Sequence, residues 1–148
     1  MIGRTAFVAA LAVSIGAPVE AKSTGCADHW KVDLNGESFA HNGAGRAFSD
    51  TELATFRRKI EAELKSAIGT GCRQGRVKVS EAKKIKRVEV SSASGASEPT
   101  IYLRSPGNLA FEWVFAEEHL EVPSAKDILD GAACWTNPRS SACLESGD

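Results

Sequence analysis

This 148-residue sequence has few of the patterns that identify an enzyme or a membrane protein. Beyond residue 21, no stretch approaches eighteen consecutive apolar residues, which argues against a membrane-spanning helix after that point. There is no His-Glu-x-x-His zinc motif and no Cys-x-x-Cys pair. Gly43-Ala44-Gly45 lacks the third glycine of a dinucleotide-binding loop and has no βαβ pattern around it. We therefore predict no catalytic residue, no metal ligand and no cofactor.

The opening segment has the three parts of an export signal. Arg4 gives a positive start, residues 5–15 form an apolar stretch too short to cross a bilayer, and Gly16 and Pro18 break the helix. Val19 and Ala21 are apolar or small at the positions that signal peptidase requires, so the mature chain should begin at Lys22. We predict a cleaved signal peptide at 1–21 and a single domain at 22–148, either periplasmic or secreted, with no membrane span after processing.

The four cysteines all lie in the predicted mature chain, where an oxidising compartment favours two disulfides. Of the three possible pairings, we favour Cys26 with Cys72 and Cys134 with Cys143, because the second pair brackets a turn-rich segment. On the chain-entropy model, the first disulfide stabilises the fold by about 4 kcal/mol because it closes a long loop, and the second, which closes a short loop, by less than ~3 kcal/mol. A Gly-Cys pair at 25–26 also occurs in lipoprotein signals, but its distance from the apolar stretch argues against a lipid anchor.

Charge is segregated along the chain, although the formal net charge is only −1. Residues 57–87 contain eleven Lys or Arg against three Glu, a net of +8, whereas residues 112–148 contain eight acids against two bases, a net of −6. One interpretation is that the two surfaces meet across the fold as weak ion pairs. The other is a bipolar molecule with a basic face for an anionic partner.

The clearest predicted element is a long amphipathic helix that begins near residue 50. Ser49 and Glu52 have the spacing of a capping box, and an apolar stripe follows at intervals of three and four residues. The stripe consists of Leu53, Phe56, Ile60, Leu64 and Ala67 or Ile68. We expect the helix to end at Gly69 or Gly71.

Alternating apolar residues predict strands on both sides of this helix. They lie at 29–34, 77–79, 88–90, 101–103 and 109–115, with a further extended piece at 120–122, whereas residues 37–47 have no period and predict a loop. Ser124 caps a short closing helix that should end near Gly131. The predicted class is α+β: one long helix packed on an antiparallel meander of three to five strands, with a short C-terminal helix and two disulfides.

The densest run of charge consists of Lys83, Lys84, Lys86 and Arg87. On an exported protein we expect it to contact an acidic protein or an anionic envelope polymer. Nucleic acid is not expected, because only one aromatic residue, Tyr102, lies nearby in the sequence. The alternative is a charged edge strand that discourages pairing between sheets.

The remaining candidates are single residues that no motif joins. Carboxylates for glycoside hydrolysis would be Glu112, Glu117, Glu118 and Glu121, and proton-transfer groups would be His29, His41 and His119. Ser80 and Lys83 match Ser-x-x-Lys without the partner motifs of serine β-lactamases. Trp135 is either a contact residue or packed on a disulfide.

These observations favour a non-enzymatic exported domain that binds a macromolecule, as an inhibitor or an envelope accessory factor. Two alternatives stay open: a small envelope hydrolase with a carboxylate or histidine site, and a structural component of a surface assembly. The sequence does not indicate an oligomeric state.

Overall fold

The computed structural model describes residues 25–40, 46–93, 98–115 and 120–139. The strands in these ranges are β1 (Lys31–Leu34), β2 (Arg87–Ser92), β3 (Thr100–Ser105) and β4 (Asn108–Trp113). The helices are α1 (Asp50–Arg73), α2 (Val79–Lys84) and α3 (Ala125–Thr136), with a 3-10 turn at Gly36–Phe39. The α+β class is therefore confirmed, with one long helix, a four-stranded sheet and a short C-terminal helix. The predicted signal peptide lies outside the described residues.

The long helix begins as predicted. The Ser49 hydroxyl accepts a hydrogen bond from the Glu52 backbone N–H, and the Glu52 carboxylate accepts one from the Ser49 N–H, which completes the capping box. Its predicted end is wrong, because α1 runs through Gly69 and Gly71 to Arg73. A Cβ at Gly71 would lie 2.5 Å from Leu129 Cδ2, so this glycine permits close packing of α3 and does not end the helix.

The predicted antiparallel meander is wrong, because the sheet is mixed and has the order β1-β2-β4-β3. β2 runs parallel to both β1 and β4, and β3 pairs antiparallel with β4. Parallel neighbours need a long crossover, and α1 with α2 supplies it between β1 and β2. The chain therefore does contain a βαβ unit, and residues 43–45 fall in its first connection, outside the described part.

Two further strand predictions are wrong. Val77 and Val79 form no strand: Val77 is buried in the turn after α1, and Val79 begins α2, in which Ala82 faces the core three residues later. Two alternating residues are too short a run to distinguish a strand period from a helix period. The piece at 120–122 also forms no strand, since Leu120 is an isolated bridge residue.

The helices cover one face of the sheet. Val88, Val90, Leu109 and Phe111 point to this face and form one buried core together with side chains of α1 and α3.

Phe115 lies at the centre of an aromatic group whose other members are Phe39, Phe56, Phe111 and Trp113, with ring centroids 5.3–5.7 Å from that of Phe115. The predicted packing of the long helix on the sheet is thus confirmed, and Phe56 of α1 contacts this aromatic group. Phe39, within the predicted loop, is fully buried in the 3-10 turn.

The predicted disulfide between Cys26 and Cys72 is confirmed. It joins the segment before β1 to the last turn of α1, and both residues are buried. Cys143 lies outside the described residues, so its pairing with Cys134 stays a prediction. No described cysteine is a free thiol.

Candidate functional site

The predicted basic cluster lies at the amino-terminal end of the parallel strands. Lys83 and Lys84 end α2, Lys86 follows in the connection, and Arg87 begins β2, with all four side chains exposed. The edge-strand alternative is wrong, because β2 lies between β1 and β4 inside the sheet. The cluster is a helix end and a strand start, where the side chains project into solvent.

The backbone beneath these cations is held by hydrogen bonds from neighbouring segments. The Trp30 indole N–H donates a hydrogen bond of 2.9 Å to the Ala82 carbonyl, and His29 Nε2 donates one of 2.8 Å to the Ile85 carbonyl. The amides of Lys86 and Arg87 both donate to the Gly107 carbonyl in the β3–β4 turn. Ala82 and Ile85 are buried, and an exposed lysine follows each of them. Buried residues that fix the backbone therefore alternate with outward-facing cations.

The cluster is part of a longer stretch, residues 73–87, which we call the basic segment. It contains seven Lys or Arg and one acid, Glu81. Three of the cations have acidic partners at 2.9–3.2 Å: Lys84 with Glu81, Arg87 with Asp33, and Arg76 with Asp130. The other four, Arg73, Lys78, Lys83 and Lys86, are exposed and make no ion pair within the described ranges.

The two interpretations of the charge segregation can be compared through these pairs. Within the described residues, only Arg76–Asp130 joins a cation of residues 57–87 to an acid of residues 112–148. Arg57 and Lys65 both pair with Glu61 on their own helix. Within the described ranges, the acidic C-terminal part therefore neutralises only Arg76 of the basic segment. Four of the seven cations in that segment have no acidic partner in these ranges.

The carboxylates proposed for hydrolysis are not brought together in the part of the chain that is described. Glu112 lies on the open face of the sheet, where it accepts a hydrogen bond of 2.6 Å from the Tyr102 hydroxyl. Arg104 of β3 reaches across β4 to pair with Glu89 of β2, above the small Ala110. Glu121 is exposed before α3. Glu117, Glu118, His41 and His119 lie outside the described residues.

Trp135, another single residue named from the sequence, has a partner in the core. Trp135 is half-buried and packs edge-on against Trp30, with ring centroids 5.9 Å apart. Trp135 thus packs partly against the core, and its role as a contact residue stays a prediction. Among the described residues, no group of three or more His, Cys, Asp or Glu is placed to hold a metal ion.

Sequence reasoning missed an open groove of about 320 Å³ at the start of α1. Two stripes with a spacing of four residues line it, one with Phe48, Glu52 and Phe56 and the other with Thr51, Thr55 and Lys59. Arg46 and Leu120 also line it. Both spacings are present in the sequence, but only Phe56 among these residues belongs to the predicted apolar stripe of α1.

Charge in this α1 groove is partly neutralised. Arg46 pairs with Glu52 at 3.0 Å and lies over the Phe48 ring, with its guanidinium 5.5 Å from the ring centroid. The hydrogen bond from Arg46, followed by that from the Ser49 backbone, lowers the pKa of Glu52 to about 2, so this carboxylate stays ionised. Lys59 is exposed and makes no ion pair with a described residue, so the described lining residues carry one uncompensated positive charge.

Comparison of the chain with family models, curated proteins and solved structures finds no match. No helix in the described ranges has both the length and the apolar character needed to cross a membrane. The disulfide between Cys26 and Cys72 is compatible with an extracellular protein.

Proposed function

We propose that the protein is an exported, non-enzymatic domain that binds an anionic polymer of the cell envelope through its basic segment. The observation that carries the proposal is the set of four exposed cations, Arg73, Lys78, Lys83 and Lys86, without acidic partners in the described ranges. Unpaired surface cations attract polyanions over a distance of about a Debye length, and they lose little hydration on contact. Export through the predicted signal peptide would place this surface among the polymers of the envelope or outside the cell.

A polymer fits the surface better than an acidic protein does. Stable protein interfaces are centred on buried aromatic or aliphatic anchors. The exposed large apolar residues in the described part are Tyr102 and Leu103, which lie on β3 and outside the basic segment. A linear polyanion needs no such anchor, because its affinity comes from charge neutralisation and release of counterions.

The test uses the mature protein and dextran sulfate as a polyanion, with neutral dextran as the control polymer. Reversing Lys83 and Lys86 to Glu should weaken binding at least about tenfold, because each cation near an anionic surface contributes about 1 kcal/mol. The logarithm of affinity should also fall less steeply with the logarithm of salt concentration. Calorimetry at several salt concentrations measures both effects.

The matched control reverses Arg58 and Lys59, two exposed α1 cations outside the basic segment that also make no ion pair with a described residue. This variant has the same net charge as the first. Equal loss of binding in the two variants would show a response to net charge alone and would overturn the site. Capture of an acidic protein with no binding of dextran sulfate would overturn the choice of polymer.

A further inference from the structure

The α1 groove is formed by segments that follow two parallel strands. Arg46 and Phe48 lie between β1 and α1, and Leu120 lies between β4 and α3. Both segments leave the sheet at the carboxyl ends of parallel strands, since β1 and β4 run in the same direction as β2. In open sheets with parallel strands, ligands bind in the crevice outside these ends. The groove therefore has the position of a ligand site, at the opposite end of the strands from Lys86 and Arg87.

The chemistry of the lining defines the ligand. Phe48 and Leu120 are half-buried and offer an apolar surface, and Thr51 and Thr55 lie beside it. The Arg46–Glu52 pair is internally neutral, so Lys59 supplies the one net charge among the described lining residues. A volume of about 320 Å³ is at the lower end of the range of small-molecule pockets.

From this geometry we infer that the α1 groove binds a small amphipathic monoanion, a free carboxylic acid with a short apolar chain. The chain packs along Phe48 and Leu120, and the carboxylate pairs with Lys59. Charge complementarity selects an anion over a neutral compound, and a single unpaired cation matches a single carboxylate. The site is independent of the basic segment, because none of its lining residues lies between 73 and 87.

The test is a titration of the mature protein with butanoate, hexanoate and octanoate, with hexan-1-ol as the uncharged analogue. Affinity should rise about threefold for each added methylene, because each buries further apolar surface. Amide chemical-shift changes should be confined to residues 46–60, which include the first three turns of α1, and to the region of Leu120. Hexan-1-ol should bind more weakly than hexanoate.

Two variants separate the site from general charge effects. Lys59→Gln should weaken octanoate binding about fivefold, whereas Arg58→Gln, the adjacent exposed cation outside the lining, should leave it unchanged. Thr55→Phe fills the groove and should abolish binding while the melting temperature is retained. Absence of octanoate binding at millimolar concentration would overturn the inference. So would equal effects of the Lys59 and Arg58 changes, or shift changes centred elsewhere.

Discussion

Gly131 lies within α3, where a glycine weakens a helix by roughly 0.5–1 kcal/mol relative to alanine. A Cβ at this position would lie 2.6 Å from the backbone oxygen of Pro99. Moving this backbone atom away would cost free energy. Gly131→Ala should therefore lower the free energy of unfolding by about 1–3 kcal/mol despite its better helix propensity. Urea denaturation measures the change. Gly36→Ala, with no atom within 4 Å of the new Cβ, is the matched control and should stay within about 0.5 kcal/mol.

Glu61 lies between two cations on α1, with Lys65 Nζ at 2.8 Å and Arg57 at 2.9 Å from its carboxylate oxygens. The hydrogen bond from Lys65 is the main cause that holds the pKa of Glu61 below its usual value, and the charges of Lys65 and Arg57 add to it. A carboxyl with a lowered folded-state pKa adds stability above its unfolded pKa, and this stability is lost as the pH falls through the folded-state value.

Glu61→Gln should therefore lower the free energy of unfolding at pH 7 by about 0.5–1 kcal/mol, a range that allows for solvent screening. The difference from the parent protein should shrink towards zero once the pH is below the folded-state pKa. Urea titrations at neutral and acidic pH test this. Glu63→Gln is the control, because Glu63 makes no ion pair with a described residue. An equal loss at both pH values would mean that packing, rather than charge, explains the effect.

Phe39 shows where residue-level reasoning from sequence fails. It is fully buried and its ring centroid lies 5.6 Å from that of Phe56, yet it belongs to a segment without any apolar period. The 3-10 turn that carries it is held by the Asn35 side chain, which accepts a hydrogen bond from the Ser38 N–H. A single aromatic residue in a polar segment gives no periodic signal, so only the fold identifies it as part of the core.

Among the secondary-structure elements, those with complete local signals were predictable. The start of α1 follows from the capping box and the apolar stripe, and the start of α3 follows from Ser124, whose hydroxyl accepts a hydrogen bond from the Asp127 N–H. Helix ends were predicted poorly. The predicted ends, at Gly69 or Gly71 for α1 and near Gly131 for α3, are wrong, because all three glycines lie inside helices. Neighbouring elements approach Gly71 and Gly131 closely, and this requirement does not appear in the local sequence.

Strand pairing was not predictable from alternation. β2, β3 and β4 are consecutive along the chain, which favours a meander, but β4 inserts between β2 and β3. β1 and β2 are parallel because a helical crossover joins them. Alternation reports only that one face of a strand is buried, and it is the same for parallel and antiparallel neighbours.

At the scale of the whole molecule, the disulfide between Cys26 and Cys72 joins residues 46 apart. Replacing both cysteines with alanine should lower the free energy of unfolding by about 4 kcal/mol on the chain-entropy model, because the unfolded chain loses a long constraint. Urea denaturation of the variant and the oxidised parent measures the difference. An exposed change on the same helix, Ser66→Ala, should stay within about 0.5 kcal/mol. A loss below about 1 kcal/mol in the double variant would contradict the entropic account.

The sequence by itself determined the α+β class, the capped start of the long helix and the basic run, and it limited the cysteines to three pairings, because each depends on local pattern or on a small number of combinations. The tertiary structure decided the mixed order of the sheet, the interior position of β2, the packing of Trp135 on Trp30 and the existence of the α1 groove. These features depend on contacts between segments far apart in the chain, and a one-dimensional pattern carries no information about which buried faces meet.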